Sequence, residues 1–390
     1  MSTSIVTSVG LKSLPLVAQG KVREIYEASD STLLLATSDR ISAYDVILEN
    51  GVQEKGTVLT LLTNHWLNTV LPGHVPGLKH HLLSLNIPPT LNVSPEERER
   101  LRGRTMIVNK YRVFPIEAIV RGYITGSSWA EYKQKGTVHG LPQPSGLEQC
   151  QAFPGGPIYT PSTKAPVGGK DENVCTLTGK FYFPPVFLIR RVSGSLQLQV
   201  PEIVLNRCRI TPDHARQIVG DKYADKIENL ALAIYKAAHA YALERGIIVA
   251  DTKFEFGLDE ETDEVVLIDE VLTPDSSRFW PAADYAQGRD QKSFDKQYLR
   301  DWLTGTHFAL VYPQFGNASP PHAYAAPPKL QDTDARKFSN SLISIGQGLK
   351  GREGVSMTED VQARTSAKYL EAFQRLTGET LDQALAKLEK

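Results

Sequence analysis

Apolar residues along this chain recur with two different periods, and the points where the period changes outline its elements. The clearest alternation of period two is Asp251-Thr-Lys-Phe-Glu-Phe-Gly257, with Phe254 and Phe256 on one face and Lys253 and Glu255 on the other. It predicts a strand with one packed side and one charged side. Four apolar residues, Ile247 to Ala250, precede it as a short buried strand, and an acidic turn over 259–264 leads to Val265-Val-Leu-Ile268, which makes a hairpin. Asp269-Glu270 and then Asp275-Ser-Ser-Arg278 follow at once. A second hairpin is predicted from Gln19–Tyr26 and Thr32–Thr37. Thr105–Pro115 reads as another hairpin or as a strand leading out of a first domain.

Helical spacing of 3.6 appears in three places. Leu59, Leu62, Trp66 and Val70 stripe a helix over Thr57–Leu71, and Ile227, Leu230, Ile234, Ala238 and Tyr241 stripe one over Tyr223–Arg245, with Gly246 as its stop. Near the C-terminus, Ser356-Met-Thr-Glu359 has capping-box spacing ahead of Val361, Tyr369, Phe373 and Leu376, and Gly378 ends that helix. Ser128 and Glu131 have the same spacing, so a short helix is predicted from about Trp129 to Gly136. Gly126, Ser127 and Ser128 then lie where helix N–H groups point outward.

Composition narrows the class. The chain has 390 residues, 43 basic against 44 acidic, so no basic face for nucleic acid announces itself. The three cysteines, Cys150, Cys175 and Cys208, form no CxxC pair and fit a reducing compartment. No apolar run approaches the roughly 18 residues of a membrane span, and no basic-then-apolar leader opens the chain. The expectation is a cytoplasmic protein without nucleic-acid or membrane partners. His74, His80 and His81 lack the spacing of a zinc pair, and the GxGxxG at 346–351 lacks the helix a dinucleotide site requires.

The charged groups at the strand ends suit phosphate chemistry. Glu255 and Asp269 are hard oxygen ligands of the kind that hold Mg²⁺, while Lys253 and Arg278 can neutralise charge on a transferred phosphoryl group. Gly20, Lys21, Val22 and Arg23 can lay backbone N–H groups and cations over nucleotide phosphates, although no Walker loop occurs in the chain. Arg121 lies close enough to Ser127 to join an anion site at the helix start. FPGGPIYTPSTK, ending at Lys164, reads as a rigid loop presenting a lysine. Each stretch taken alone is also compatible with solvated surface charge or an ordinary capped helix.

Taken together, GKVREIY, SDRISAYDVIL, VRGYITGSSWAEY, PIYTPSTKA, DTKFEFG and IDEVLTPDSSRFW resemble the SAICAR synthetase family, in the family's order and over most of the chain. The resemblance implies an α+β fold: an antiparallel N-terminal sheet domain (1–115), a larger ATP-binding domain (116–306) with ATP in the cleft, and C-terminal helices (347–390). That architecture is similar to kinases and ATP-grasp enzymes. It also implies ATP-dependent ligation of L-aspartate to carboxyaminoimidazole ribonucleotide through an acyl phosphate, with Mg²⁺, in a monomer or small homo-oligomer. By the same resemblance Gly20, Lys21, Val22 and Arg23 cover ATP, with Glu255 and Asp269 as magnesium ligands. Lys253, Arg278 and Asp275 are the catalytic candidates. Arg40, Ser42, Asp45, Arg121, Ser127, Lys164 and Arg278 line the substrate pocket. A non-catalytic nucleotide-binding protein on the same scaffold, or a ligase using another amine, are the competing readings.

Two segments depart from the family pattern, 174–209 and 307–346. Joining Asn173 to Ile210, or Thr306 to Gly348, restores a family-like run. They are read as insertions, either translated intervening sequence or long disordered loops.

Overall fold

The computed structural model describes residues 4–43, 46–164, 190–192, 195–197, 210–300, 302–303 and 355–388. The expected insertions 174–209 and 307–346 and the GxGxxG lie outside these, apart from a short antiparallel hairpin of Arg190–Val192 with Ser195–Gln197.

The first sheet is antiparallel and five-stranded, in the order Leu16–Gln19, Arg23–Glu27, Thr32–Thr37, Thr105–Asn109 and Leu82–Ser84. The predicted hairpin is present as Arg23–Glu27 with Thr32–Thr37, while Gln19 ends the preceding edge strand and a loop separates it from Arg23. The second sheet is built on a single 13-residue strand, Ile247–Asp259. The expected short strand and alternating strand are thus one continuous element. Arg112–Arg121 runs antiparallel along one side of it. Along the other side, Glu264–Ile268 takes the C-terminal half and Ser277–Pro281 the N-terminal half. Ile158–Tyr159 and Ser162–Thr163 extend the sheet beyond Arg112–Arg121. Thr105–Asn109 and Arg112–Arg121 therefore belong to different sheets, which resolves the choice in favour of a strand leading out.

Phe254 and Phe256 are 0% and 1% exposed, as the alternation requires, and their burial contributes about 2–3 kcal/mol each. The helix Asp221–Leu243 packs on that apolar face through Ile227, Ile234 and Ala238. Its Tyr235 hydroxyl donates to the Val249 carbonyl at 2.6 Å and passes so close to Gly122 that a Cβ there would lie 1.9 Å away. Backbone hydrogen bonds from Leu267 N to Lys79 O and from His81 N to Leu267 O stitch the two sheets along one edge.

Three helix ends differ from expectation. The first helix begins at Lys55 rather than Thr57 and is α-helical only to His65, then widens into a π turn, Trp66–Val70, and tightens at Leu71–Gly73. The Trp66 indole donates to the Leu272 carbonyl at 3.0 Å. The predicted Trp129 helix starts at Gly126, with Thr125 as its N-cap. Ser128 sits at the third helical position, where its hydroxyl accepts from Thr125 N and donates to Thr125 O. Glu131 instead anchors the following turn through Thr137 and Gly140 N. The C-terminal helix Glu359–Thr377 is capped by Thr358, while Ser356 bonds to Glu49, and Gly378 ends it with φ 78. In the latter two helices the competing cap lay three and two residues away, and tertiary contacts decided between them.

Candidate active site

In an antiparallel pair, residues directly opposite one another point to the same face. Asp251 faces Arg121 on one neighbouring strand and Arg278 on the other, because a bulge between Val249 and Asp251 sets that register. Glu255 faces Glu117, which in turn faces Ser162. Opposite the phenylalanines, the sheet therefore carries an ordered strip of charge.

At one end, Asp251 is 5% exposed and holds both arginines through one carboxylate oxygen, Arg121 at 3.4 Å and Arg278 in close contact. The Asp251 charge holds the Arg278 guanidinium protonated more firmly than usual. Arg121 is fixed further by Thr160 at 3.0 Å and His139 at 3.4 Å. Gly126 has φ +55, and a Cβ on it would lie 2.7 Å from Arg278 Nη2, so the guanidinium lies against the first turn of the Gly126–Lys135 helix. Ser127 is half-buried in that turn. The structure thus brings Arg121 and Arg278 together on Asp251, beside the helix turn that holds Ser127, at an end that favours an anion.

In the middle of the strip, Lys253 Nζ donates to Glu117 at 2.9 Å and to Glu255 at 3.3 Å. Lys164 closes on the other oxygen of Glu255, and Ser162 donates to Glu117 at 3.0 Å. Burial by itself would raise the Glu255 pKa. The two lysines outweigh it and hold that carboxyl at about 2, so it is ionised at neutral pH.

At the far end, Asp269 follows the residue paired with Glu255 and has a left-handed φ of 63. Arg23 pairs with Asp269 and, at 2.8 Å, with Glu270. Its side chain is thus turned to the carboxylates, while Gly20 N turns back onto the Arg23 carbonyl at 2.7 Å in a tight Gly20–Arg23 loop. Among the described residues, no three His, Cys, Asp or Glu side chains gather as a protein-only metal site. Glu255 and Asp269 do fit Mg²⁺ in its usual setting, where one or two carboxylates suffice and phosphate oxygens and waters complete the shell.

Asp275 is placed differently. It is buried, with its Oδ2 2.8 Å from both Lys55 Nζ and Lys296 Nζ and its Oδ1 accepting from Tyr369 at 2.7 Å. Burial alone would raise its pKa, and the two lysines instead drive it far down. It is thus engaged by three side chains, and it also lines the cleft that holds Asp251 and Arg278. Arg40 is likewise spent on backbone carbonyls and Glu24. Ser42 is half-exposed in the short strand Ser42–Ala43, and Asp45 lies outside the described residues.

Asp251, Glu117, Lys296 and Arg300 belong to the site and were not singled out in the sequence. Lys296 and Arg300 line a cleft with Asp251, Asp275, Ser277, Arg278 and Asp295. Asp251 was within reach, since it precedes Lys253 and Glu255 in steps of two. Glu117 is recognisable only through its pairing with a strand some 130 residues away.

An α+β sheet whose charged face runs from an arginine pair at a helix start to a carboxylate pair beside a glycine loop is the arrangement of a phosphate-handling enzyme. The family model described as SAICAR synthetase matches residues 16–178 and 205–313, and the chain belongs to that family. The unmatched stretch between the two blocks falls within the expected insertion at 174–209. The chain is 44% identical, over 94% of its length and 96% of the relative's, to a phosphoribosylaminoimidazole-succinocarboxamide synthase of Pichia angusta. It is 40% identical to the enzyme of that name from Saccharomyces cerevisiae, over 94% and 95%. A solved structure of SAICAR-synthase from Saccharomyces cerevisiae complexed with SAICAR is similar at 38% identity and a TM-score of 0.67, covering 97% of this chain and 99% of that one.

Proposed function

We propose that this charged face is where the chain performs its family's reaction, with the two ends of the strip dividing the substrates between them. The chain is an ATP-dependent ligase of purine biosynthesis that joins L-aspartate to carboxyaminoimidazole ribonucleotide. The observation that carries the site reading is the strand Ile247–Asp259, which holds the arginine-binding Asp251 and the lysine-bound Glu255 on one face.

A carboxylate is a poor acyl donor. One of its oxygens attacks the γ-phosphorus of ATP, ADP leaves, and an acyl phosphate forms. The amine of aspartate then attacks the acyl carbon, phosphate departs, and the amine loses a proton. In this reading Gly20, Lys21 and Val22 lie over the ATP phosphates. Glu255 and Asp269 would hold Mg²⁺, which offsets phosphate charge when bound. Arg121, Arg278 and Ser127 take the ribonucleotide phosphate. Lys253 and Lys164, drawn toward Glu117 and the ionised Glu255, bring positive charge to the middle of the strip, where negative charge develops during transfer. Lys296 and Arg300 add cations on the Arg278 side. The enzyme is read as cytoplasmic, working as a monomer or small homo-oligomer on small molecules alone.

The test is ADP release by the purified full chain with Mg-ATP and carboxyaminoimidazole ribonucleotide, with and without L-aspartate. Aspartate-dependent turnover is expected. ATP binding without turnover under all conditions would overturn the reading.

A further inference from the structure

Arg40 lies in a polar loop, SDRISAYD, and the family resemblance assigns it to the substrate pocket. Its guanidinium faces elsewhere. Nε donates to the Lys21 carbonyl at 2.9 Å and Nη2 to the Gly20 carbonyl at 3.2 Å. Nη1 donates to the Thr7 carbonyl at 2.9 Å and to Glu24 Oε1 at 3.2 Å. The residue is only 9% exposed.

Glu24 is the second half of the device. It is 2% exposed and accepts from Val9 N at 3.1 Å, Gly10 N at 2.9 Å and the Tyr26 hydroxyl at 2.5 Å. Burial opposes its charge, and these donors together with Arg40 hold its pKa below the ordinary value. The N-terminal segment around Thr7–Gly10, Glu24 and Arg40 thus form one hydrogen-bonded bracket. Two of its contacts end on consecutive carbonyls of the glycine loop.

A carbonyl that is held inward fixes the peptide plane, and so fixes where the next N–H points. With the Gly20 and Lys21 carbonyls bonded to Arg40, the amides of Lys21 and Val22 are turned the opposite way, toward the side a phosphate would occupy. We propose that Arg40 is a positioning residue for ATP: it sets the orientation of the Gly20–Val22 amides and does not touch the ribonucleotide. This rests on the reading of that loop as the phosphate cover. A lysine at position 40 keeps the charge beside Glu24 but cannot fork across two carbonyls.

The experiment compares full-length wild type, Arg40→Lys, Arg40→Gln and Lys21→Ala, with KM measured separately for ATP and for carboxyaminoimidazole ribonucleotide. Thermal melting of each protein is followed with and without ADP. Arg40→Lys is expected to raise KM for ATP about tenfold and to change the ribonucleotide KM less than about twofold. The added stabilisation by ADP should shrink in step. Arg40→Gln should show the larger ATP effect. A rise in ribonucleotide KM with ATP KM unchanged would overturn the proposal and return Arg40 to the substrate pocket. If Lys21→Ala raises ATP KM while Arg40→Lys does not, positioning by Arg40 is wrong. If neither variant moves ATP KM, the loop itself is not the phosphate cover. Should Arg40→Gln fail to fold, Arg40→Lys decides alone.

Discussion

Tyr369, on the C-terminal helix, donates a 2.7 Å hydrogen bond to Asp275, 94 positions earlier in the loop that leads to Arg278. Lys55, at the start of the first helix, reaches the other oxygen of the same carboxylate. The loop that leads to Arg278, the arginine proposed to bind substrate, is therefore tied to both the first helix and the C-terminal helix. The carboxylate also accepts a second ammonium, from Lys296, so the ring of Tyr369 beside Lys55, at 5.9 Å, adds a cation–π contact to a buried site with surplus positive charge.

Tyr369→Phe removes the donor and keeps the ring. Stability is expected to fall by about 1–3 kcal/mol, read from urea unfolding, because Asp275 Oδ1 stays buried and loses its partner. The ribonucleotide KM should rise more than the ATP KM, since the disturbed loop continues into Ser277 and Arg278. An unchanged KM for both substrates would show that the bond serves the fold alone.

Arg278→Ala leaves the buried Asp251 with Arg121 as its remaining arginine. It also removes a cation proposed to pair with the ribonucleotide phosphate. Truncating one partner of a buried charge pair between binding partners costs about 2–5 kcal/mol, so kcat/KM for the ribonucleotide should drop at least about 30-fold. A substrate analogue lacking the 5′-phosphate should lose far less. Equal losses for both would place Arg278 away from the phosphate.

Acid should destabilise the protein in two windows. Burial, aided by Arg23 and His80, pushes the His81 pKa down to about 3 from 6.5, so the unfolded chain takes up a proton first as pH falls below 6.5. Stability contributed by keeping His81 neutral is thus complete above 6.5 and lost on the way down to about 3. Glu255, held at about 2 against an ordinary 4.5, contributes stability that is complete above 4.5 and lost between there and about 2. Each group adds a slope of up to about 1.4 kcal/mol per pH unit. Unfolding followed from pH 8 to pH 3 should show the earlier window disappear in His81→Leu, and the later one in Glu255→Gln. Among the described residues, His81 Nε2 has no hydrogen-bond partner to lose in the first variant.

Chelation of divalent cations is expected to stop ADP release, and excess Mg²⁺ to restore it. Asp269→Asn should raise the Mg²⁺ concentration for half-maximal rate by about tenfold or more. The same change frees Arg23 from one of its two carboxylates, so a Glu270→Gln control separates loss of the ion pair from loss of the metal ligand.

Local pattern made the second sheet's central strand legible, because each of its side chains has the same kind of neighbour over seven residues. The long Asp221–Leu243 helix was legible for the same reason. Caps were less so. Thr125 and Ser128, or Ser356 and Thr358, offer the backbone similar hydroxyls, and packing chooses between them. The site was readable where its members share one stretch, as in Lys253 and Glu255, or where the family resemblance supplied them. Glu117 and the function of Asp251 came only from register between distant strands, and no local signal reports register. Arg40 and Asp275 were recognisable as site residues by type, but what they grip is a matter of tertiary geometry.

The strand Ile247–Asp259 acts as a ruler. Alternate residues on a strand are spaced by about 6.6–6.8 Å, so Asp251 and Glu255 stand roughly 13 Å apart along the sheet, with Lys253 midway. That fixed interval separates the arginine end from the carboxylate end by backbone geometry alone, without depending on any side-chain rotamer. It also predicts which changes evolution can accept. Loops at the strand's two ends can lengthen or shorten, but one residue inserted or deleted between Asp251 and Glu255 would send one of them to the phenylalanine face and abolish the measure.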